Sequence, residues 1–250
     1  MGDLLEVRNL SLSFGGIHAL QDVGVAIAEG ETLAVIGPNG SGKTSLFNCI
    51  TGIYHPRAGS ITFRGEPLLG QSPDAVTRLG IARTFQNLRL FHNMTVLDNL
   101  MVGRHLHFRK NFMAAALRLR GEEIRHRRRC EEIIEFLNLE PVRKTRVADC
   151  PFGLQKRVEL GRALATEPKL LLLDEPVSGL TREEKDEISY WIHEIRGRFG
   201  ITVLLVEHDL RVASRLASRM VALDHGVKIA EGSPATVQRH PDVIKAYLGE

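Results

Sequence analysis

The sequence has one tryptophan, three cysteines and no long apolar run, and each shortage closes off a class of protein. Cys49, Cys130 and Cys150 are odd in number and lack a CxxC spacing, so neither a disulfide framework nor a zinc site is expected, and a reducing cytoplasm fits best. The most strongly apolar stretches, 170–173 and 203–206, fall far short of the roughly 20 residues that cross a bilayer. No membrane span is therefore expected, and the chain is read as soluble by itself. No basic-then-apolar leader opens the sequence, and Gly2 lacks the downstream Ser or Thr of a myristoylation signal. Internal repeats and low-complexity linkers are missing too.

What is present reads as an ordinary α/β enzyme. Hydrophobic residues make up 43% of 250, ample for a core, and 23 glycines stand against 10 prolines. The net charge of +3 is small, and its excess is local: residues 104–129 hold nine Arg or Lys against Glu122 and Glu123.

Apolar and polar residues alternate through Leu5 and Val7, through Leu10, Leu12 and Phe14, and through Val23, Val25 and Ile27, which predicts half-buried antiparallel strands. Residues 32–36 are apolar after the first, as in a strand buried on both faces. Helical spacing follows over 45–50, and 59–63 reads as a short strand, closing a first lobe near residue 85. Residues 95–148 carry amphipathic helical patterns and predict a helical insert. Buried strands return at 170–173 and 201–206, each followed by acidic residues. Strands alternating with helices predict a mostly parallel sheet.

Gly37-Pro38-Asn39-Gly40-Ser41-Gly42-Lys43-Thr44 matches GxxxxGK[ST] between a buried strand and a helix, with Ser45 following in the same stretch. Glycines let the backbone wrap phosphates so that amides and the helix N-terminus face negative charge. Lys43 is expected to reach the β and γ phosphates of ATP, and Thr44 to offer its hydroxyl to Mg2+. Asp174 and Glu175 end a buried strand, where ligands of parallel sheets bind; Asp174 suits the metal, and Glu175 can polarise a water for attack on the γ phosphate. His208 follows another buried strand and is expected at the same edge.

Phe14, the phosphate loop, Gln86 in Thr84-Phe85-Gln86-Asn87, a glycine turn before Arg157, Asp174-Glu175-Pro176 and His208 occur in one order that resembles the nucleotide-binding domain of ABC transporters over essentially the whole chain. Phe14-Gly15-Gly16, the basic insert, Ala230-Glu231-Gly232 and the terminal Ala246-Tyr247-Leu248-Gly249-Glu250 are most similar to the LivG type of branched-chain amino acid uptake. The resemblance implies an α/β P-loop NTPase core with a mostly parallel sheet, an antiparallel β subdomain and an inserted α-helical subdomain at about 88–160, in a single domain over 1–250. It implies that Phe14 stacks on adenine, that Gln86 senses Mg2+ and the γ phosphate and couples to membrane subunits, that Glu175 is the general base and that His208 contacts the γ phosphate. The family signature, usually Leu-Ser-Gly-Gly-Gln, falls on Cys150-Pro151-Phe152-Gly153-Leu154, with Gln155 next. Pro151 supplies neither hydroxyl nor N–H, which weakens the site completed on a partner cassette, although Gly153 and a helix starting near Leu154 remain. Thr181 stands where the family commonly has Asp or Asn.

The implied partners are separate transmembrane permease subunits, a second ABC ATPase in a homo- or heterodimer, and indirectly a solute-binding protein, with this chain peripheral on the cytoplasmic face of the membrane. Two other readings compete. The basic run (His105, His107, Arg109, Lys110, Arg118, Arg120 and residues 125–129) could neutralise nucleic-acid phosphates, but thin aromatic interleaving, with only Phe108 and Phe112, favours a solvated face or one near anionic headgroups. A regulatory subunit with poor turnover is favoured by Pro151 and opposed by Glu175. Urea or amide import and lipid export are the alternatives in cargo. Cys150 is assigned packing only.

Overall fold

The computed structural model describes residues 2–108 and 121–248. Strands β1 (Asp3–Phe14), β2 (Ile17–Ala28), β4 (Ala58–Phe63) and β5 (Glu66–Pro67) form an antiparallel sheet in the order β2-β1-β4-β5. The alternating runs expected as separate strands are one long hairpin. Its register shifts between Val7 and Leu10, where Asn9 sits at φ 50° and its amide donates to Asp22 at 2.6 Å. The bulge moves burial from Leu5 and Val7 to Leu10 and Leu12, so the inward face is kept although the period slips by one residue.

The second sheet has six strands in the order β10-β9-β3-β8-β7-β6: β3 (Thr32–Ile36), β6 (Ile81–Arg83), β7 (Leu170–Asp174), β8 (Thr202–Glu207), β9 (Arg219–Asp224) and β10 (Val227–Gly232). All its pairings are parallel except β9 with β10. Both faces are covered. Leu33, Val35, Leu170, Leu172, Leu204 and Val206 pack toward the antiparallel sheet and helix α1 (Lys43–Ile50). Ala34, Ile36, Leu171, Leu173, Val203 and Leu205 pack toward the helices on the other side. Two-sided burial is why these strands read as unbroken apolar runs.

Helix α2 (Pro73–Arg78) precedes β6. Between β6 and β7 lie α3 (Val96–Gly103), α4 (Gly121–Phe136) and α5 (Phe152–Ala165), which pack on one another through Leu100, Cys130, Ile134, Leu137 and Leu164. Helix α5 begins at Phe152, two residues before the expected start, because Pro151 at φ −55° sets the backbone for entry. Of the basic run, Arg109, Lys110, Arg118 and Arg120 lie outside the described residues. Arg104 is buried, donating to the Ala165 carbonyl at 2.9 Å and pairing with Glu167 at 3.1 Å; Arg129 pairs with Glu132 and Glu167. These two cations are matched by carboxylates, while Arg125, Arg127 and Arg128 are exposed on the surface.

Helix α6 (Arg182–Phe199) leads to β8, and α7 (Leu210–Leu216), α8 (Pro234–Gln238) and α9 (Pro241–Leu248) complete the fold. The free cysteines are buried, and burial pushes the thiols of Cys49 and Cys130 up to about 11 and about 12, as befits packing residues.

Candidate functional site

The phosphate loop is built by crowding. Strand β3 ends at Ile36 and the chain turns at Gly37, φ 150°, where a Cβ would lie 2.1 Å from the Leu223 carbonyl and 2.5 Å from Ser41 Oγ. At Gly42, φ 104°, a Cβ would lie 2.6 Å from the Ala19 carbonyl of β2. Only glycine fits at either position. Pro38, Asn39 and Gly40 carry the loop outward, and Ser41 returns it to the interior. Gly42 caps α1 without any side-chain hydrogen bond, leaving the first amides of that helix to face an anion.

Lys43 is buried in the bend. Its Nζ donates to the carbonyls of Gly37 and Pro38 at 2.8 and 2.7 Å and to Ser41 Oγ at 3.4 Å. Burial holds its pKa below the usual lysine value, against the opposing pull of Glu175, Asp174 and Glu207. Thr44 is exposed and Ser45 half-buried at the start of α1. Phe14 ends β1 exposed, edge-on to Tyr54 with ring centroids 5.0 Å apart.

Strand β8, which leads into His208, lies between β3 and β7, so the topology brings three predicted stations to one sheet edge. Glu175 follows β7 with φ 47°, uncommon for a non-glycine residue, and its amide donates to the Val206 carbonyl at 3.0 Å. Gln86 Nε2 donates to Glu175 Oε2 at 3.0 Å, and His208 Nδ1 stands 3.5 Å from Glu175 Oε1. An amide, a carboxylate and an imidazole thus meet, with the carboxylate buried and the other two exposed.

Two charged groups at this edge were not singled out in the sequence. Arg83, at the end of β6, donates through Nη2 to Asp174 Oδ2 at 2.7 Å, with both side chains about 5% exposed, and through Nη1 to Asn48 Oδ1 at 2.7 Å. Its guanidinium also lies over the rings of Phe47 and Phe85. Glu207, one residue before His208, is buried with Oε1 lacking a hydrogen-bond partner among the described residues. Burial raises its pKa to about 7, against hydrogen bonds from the backbone of Val177 and Asp209. A lone Arg after a short strand gave no signal; a Glu ending an apolar strand could have been found as the strand's only buried carboxylate.

The segment Cys150 to Gln155 is set apart from the loop: among the described residues, no hydrogen bond or ring contact joins the two. Cys150 is buried, Pro151 and Phe152 are exposed, and Gln155 Nε2 donates to the Cys150 carbonyl at 2.9 Å. A Cβ on Gly153 would lie 2.3 Å from Glu184 Oε1, and the Phe152 ring reaches Gly179 in the loop before α6. Leu154 packs partly buried against the helical core. Helix α5 also holds the Gln86 segment, since Lys156 Nζ donates to the Gln86 carbonyl at 3.4 Å and Glu159 Oε1 accepts from the Arg89 amide at 3.3 Å.

A strand, glycine loop and helix beside a carboxylate pair on a parallel sheet define a P-loop cassette of the kind that binds and hydrolyses nucleoside triphosphates. A family model described as ABC transporter matches residues 20–178, and one described as branched-chain amino acid ATP-binding cassette transporter matches 227–250. The chain is 38% identical over 250 residues to the high-affinity branched-chain amino acid transport ATP-binding protein BraF of Pseudomonas aeruginosa, covering 99% of this chain and 98% of the relative. It is 36% identical, with the same coverage, to the LivG protein of Escherichia coli. The fold superposes on an ATP-binding cassette of an ABC transporter in its ADP conformation with TM-score 0.88 and 31% identity, covering all of both chains. A dimeric cassette bound to ADP and Pi gives TM-score 0.78 and 27% identity over 92% of this chain and 98% of that one. The chain belongs to the ABC transporter ATP-binding family, whose members are ATPases that power transport.

Proposed function

We propose that this chain is one of two ATPase subunits of an importer for branched-chain amino acids or similar small polar solutes. In this reading it forms a single nucleotide-binding domain with a helical subdomain inserted at about 88–160. It sits peripherally on the cytoplasmic face beneath separate permease subunits, with a solute-binding protein delivering cargo. The observation that carries the reading is the meeting of Gln86 and His208 on Glu175, at the sheet edge that ends beside the phosphate loop. Among the described residues no helix is long and apolar enough to cross a membrane, so the span is assigned to other chains. The cargo rests on the names of the relatives.

Residues 37–45 hold the triphosphate through amides, the α1 N-terminus and Lys43, while Phe14 stacks on the adenine. Glu175 takes the proton of the attacking water, Gln86, which donates to that carboxylate, senses Mg2+ and the γ phosphate and couples to the membrane subunits, and His208 contacts the γ phosphate. Thr44, Gln86 and Asp174 offer the hard oxygen donors that Mg2+ accepts. When bound, Mg2+ neutralises charge on the β and γ phosphates.

The stretch 150–155 acts on a partner cassette's nucleotide. Lacking a hydroxyl and an N–H at Pro151, it relies on the amides at the tip of α5. A groove of about 250 Å3 lined by Ile53, Val76, Phe85, Val102 and Arg162 suits a short permease helix, beside the segment that carries Gln86.

Mild-detergent extraction of the native complex and mass spectrometry of what co-purifies test the reading. Permease subunits, a related ATPase and uptake of a branched-chain amino acid after reconstitution are expected. Recovery with nucleic acid and no membrane partner, or transport of lipid or urea alone, would overturn it.

A further inference from the structure

We propose that Tyr247, in the C-terminal helix α9, is a positioning residue for the phosphate loop, its hydroxyl holding the Gly37 amide in the bend that the triphosphate requires. The proposal rests on residues 37–45 being the nucleotide-binding stretch and adds to it a brace from the far end of the chain.

Gly37 is where the loop leaves the sheet. The pairing of β3 with β8 ends at Ile36, and no main-chain acceptor among the described residues takes the Gly37 N–H. Its acceptor is Tyr247 Oη at 2.9 Å, 210 positions away in sequence. Its φ of 150° is one that residues with a side chain rarely adopt, and a Cβ there would lie 2.1 Å from the Leu223 carbonyl and 2.5 Å from Ser41 Oγ, so glycine alone allows this bend. An amide without an acceptor in this buried position carries a desolvation penalty, and the loop can shed it only by leaving that bend.

The hydroxyl is held in turn by the helix that bears it. Val243, one turn before Tyr247, is fully buried, and the Tyr247 ring packs against the same core. Burial, opposed by the Gly37 hydrogen bond and aided by Glu207 and Asp209, raises the phenol to about 12, so it stays neutral. A second brace comes from the turn between β9 and β10, where the Gly226 amide donates to the Ser41 carbonyl at 3.0 Å. Between the two braces, a cavity of about 600 Å3 separates Pro38, Asn39 and Gly40 from Asp242 and Lys245. The ends of the loop are thus fixed and its crest is left free. The Tyr247 brace belongs to the stretch 227–250 matched by the branched-chain family model, and the Gly226 brace lies directly before it, which gives that segment a task at the ATP site.

Tyr247→Phe keeps the ring and removes the acceptor. In the nucleotide-free full chain, hydrogen exchange of the Gly37 amide is expected to accelerate. The Kd for ADP and for a non-hydrolysable ATP analogue is expected to rise about three- to tenfold, the range a single hydrogen bond supplies. KM for ATP follows while kcat stays within about twofold, and Tm shifts little. Unchanged Gly37 exchange would refute the brace. Faster exchange or a lower Tm with wild-type Kd would reduce Tyr247 to a packing residue and equally overturn the proposal. Lys43→Ala is the control: if wild type and Lys43→Ala bind nucleotide alike, the reading of the loop itself fails, while the exchange data still judge Tyr247.

Discussion

Glu175 shows how one residue can be prepared by several neighbours. Its positive φ, the Val206 carbonyl and the Gln86 amide fix the carboxylate where β7 ends. Glu175→Gln is expected to lower ATP turnover about 10²- to 10⁴-fold with nucleotide binding retained; equal, negligible rates in variant and wild type would instead mark a regulatory subunit. Arg83 has a different task. It is the cation that makes a buried Asp174 affordable, and Arg83→Ala is expected to destabilise the fold by about 3–5 kcal/mol in urea titrations, because an unpaired carboxylate would remain. A loss below about 1 kcal/mol would mean that Asp174 has no need of it.

Glu207 gives a pH signature. Below the unfolded value near 4.5 the group is protonated in both states and its burial is harmless. As pH rises toward about 7 the unfolded chain releases a proton that the folded chain keeps, and stability is lost. Glu207→Gln is therefore expected to gain on wild type between pH 5 and 8, by up to about 3 kcal/mol. Thermal melts showing a constant difference across that range would disprove the assignment.

At the scale of elements, α5 and α6 link the distant parts of the site. One end of α5 presents Pro151 and Phe152, and its middle grips residues 86–89 through Lys156 and Glu159. Helix α5 thus joins the 150–155 stretch to the segment whose Gln86 meets Glu175. Helix α6 starts from a capping box: Thr181 Oγ1 accepts from the Glu184 amide, and the Glu184 carboxylate accepts from the Thr181 amide at 2.9 Å. Thr, Asp and Asn all cap helices in this way, so the departure at Thr181 preserves the local chemistry of the position. Thr181→Ala is expected to cost about 1 kcal/mol, read as a lower urea midpoint with an unchanged slope, and Thr181→Asp to restore it.

At the scale of the molecule, the proposed work needs two cassettes: among the described residues no hydrogen bond or ring contact joins 150–155 to this chain's own loop. With MgATP, the Glu175→Gln protein is expected to assemble into a dimer, alone or with a related ATPase, and sedimentation would show it; a chain that stays monomeric with every such partner would defeat the two-cassette reading. The sequence by itself determined the glycine loop between a strand and a helix, the strand that ends at Asp174-Glu175 and the buried parallel strands. Each is a local feature, a glycine spacing or an apolar run, whose physics is complete within ten residues. It left β6, β9 and β10 unread, since a three-residue strand and a strand edged by Arg219 and Asp224 look alike to loops until neighbours supply their hydrogen bonds. Only the tertiary structure decided that Gln86 and His208 reach one carboxylate, that Arg83 neutralises Asp174, and that Tyr247 closes on Gly37. Those pairs lie 33 to 210 residues apart, and hydrogen bonds across such distances follow from sheet order and helix docking, which no local pattern encodes.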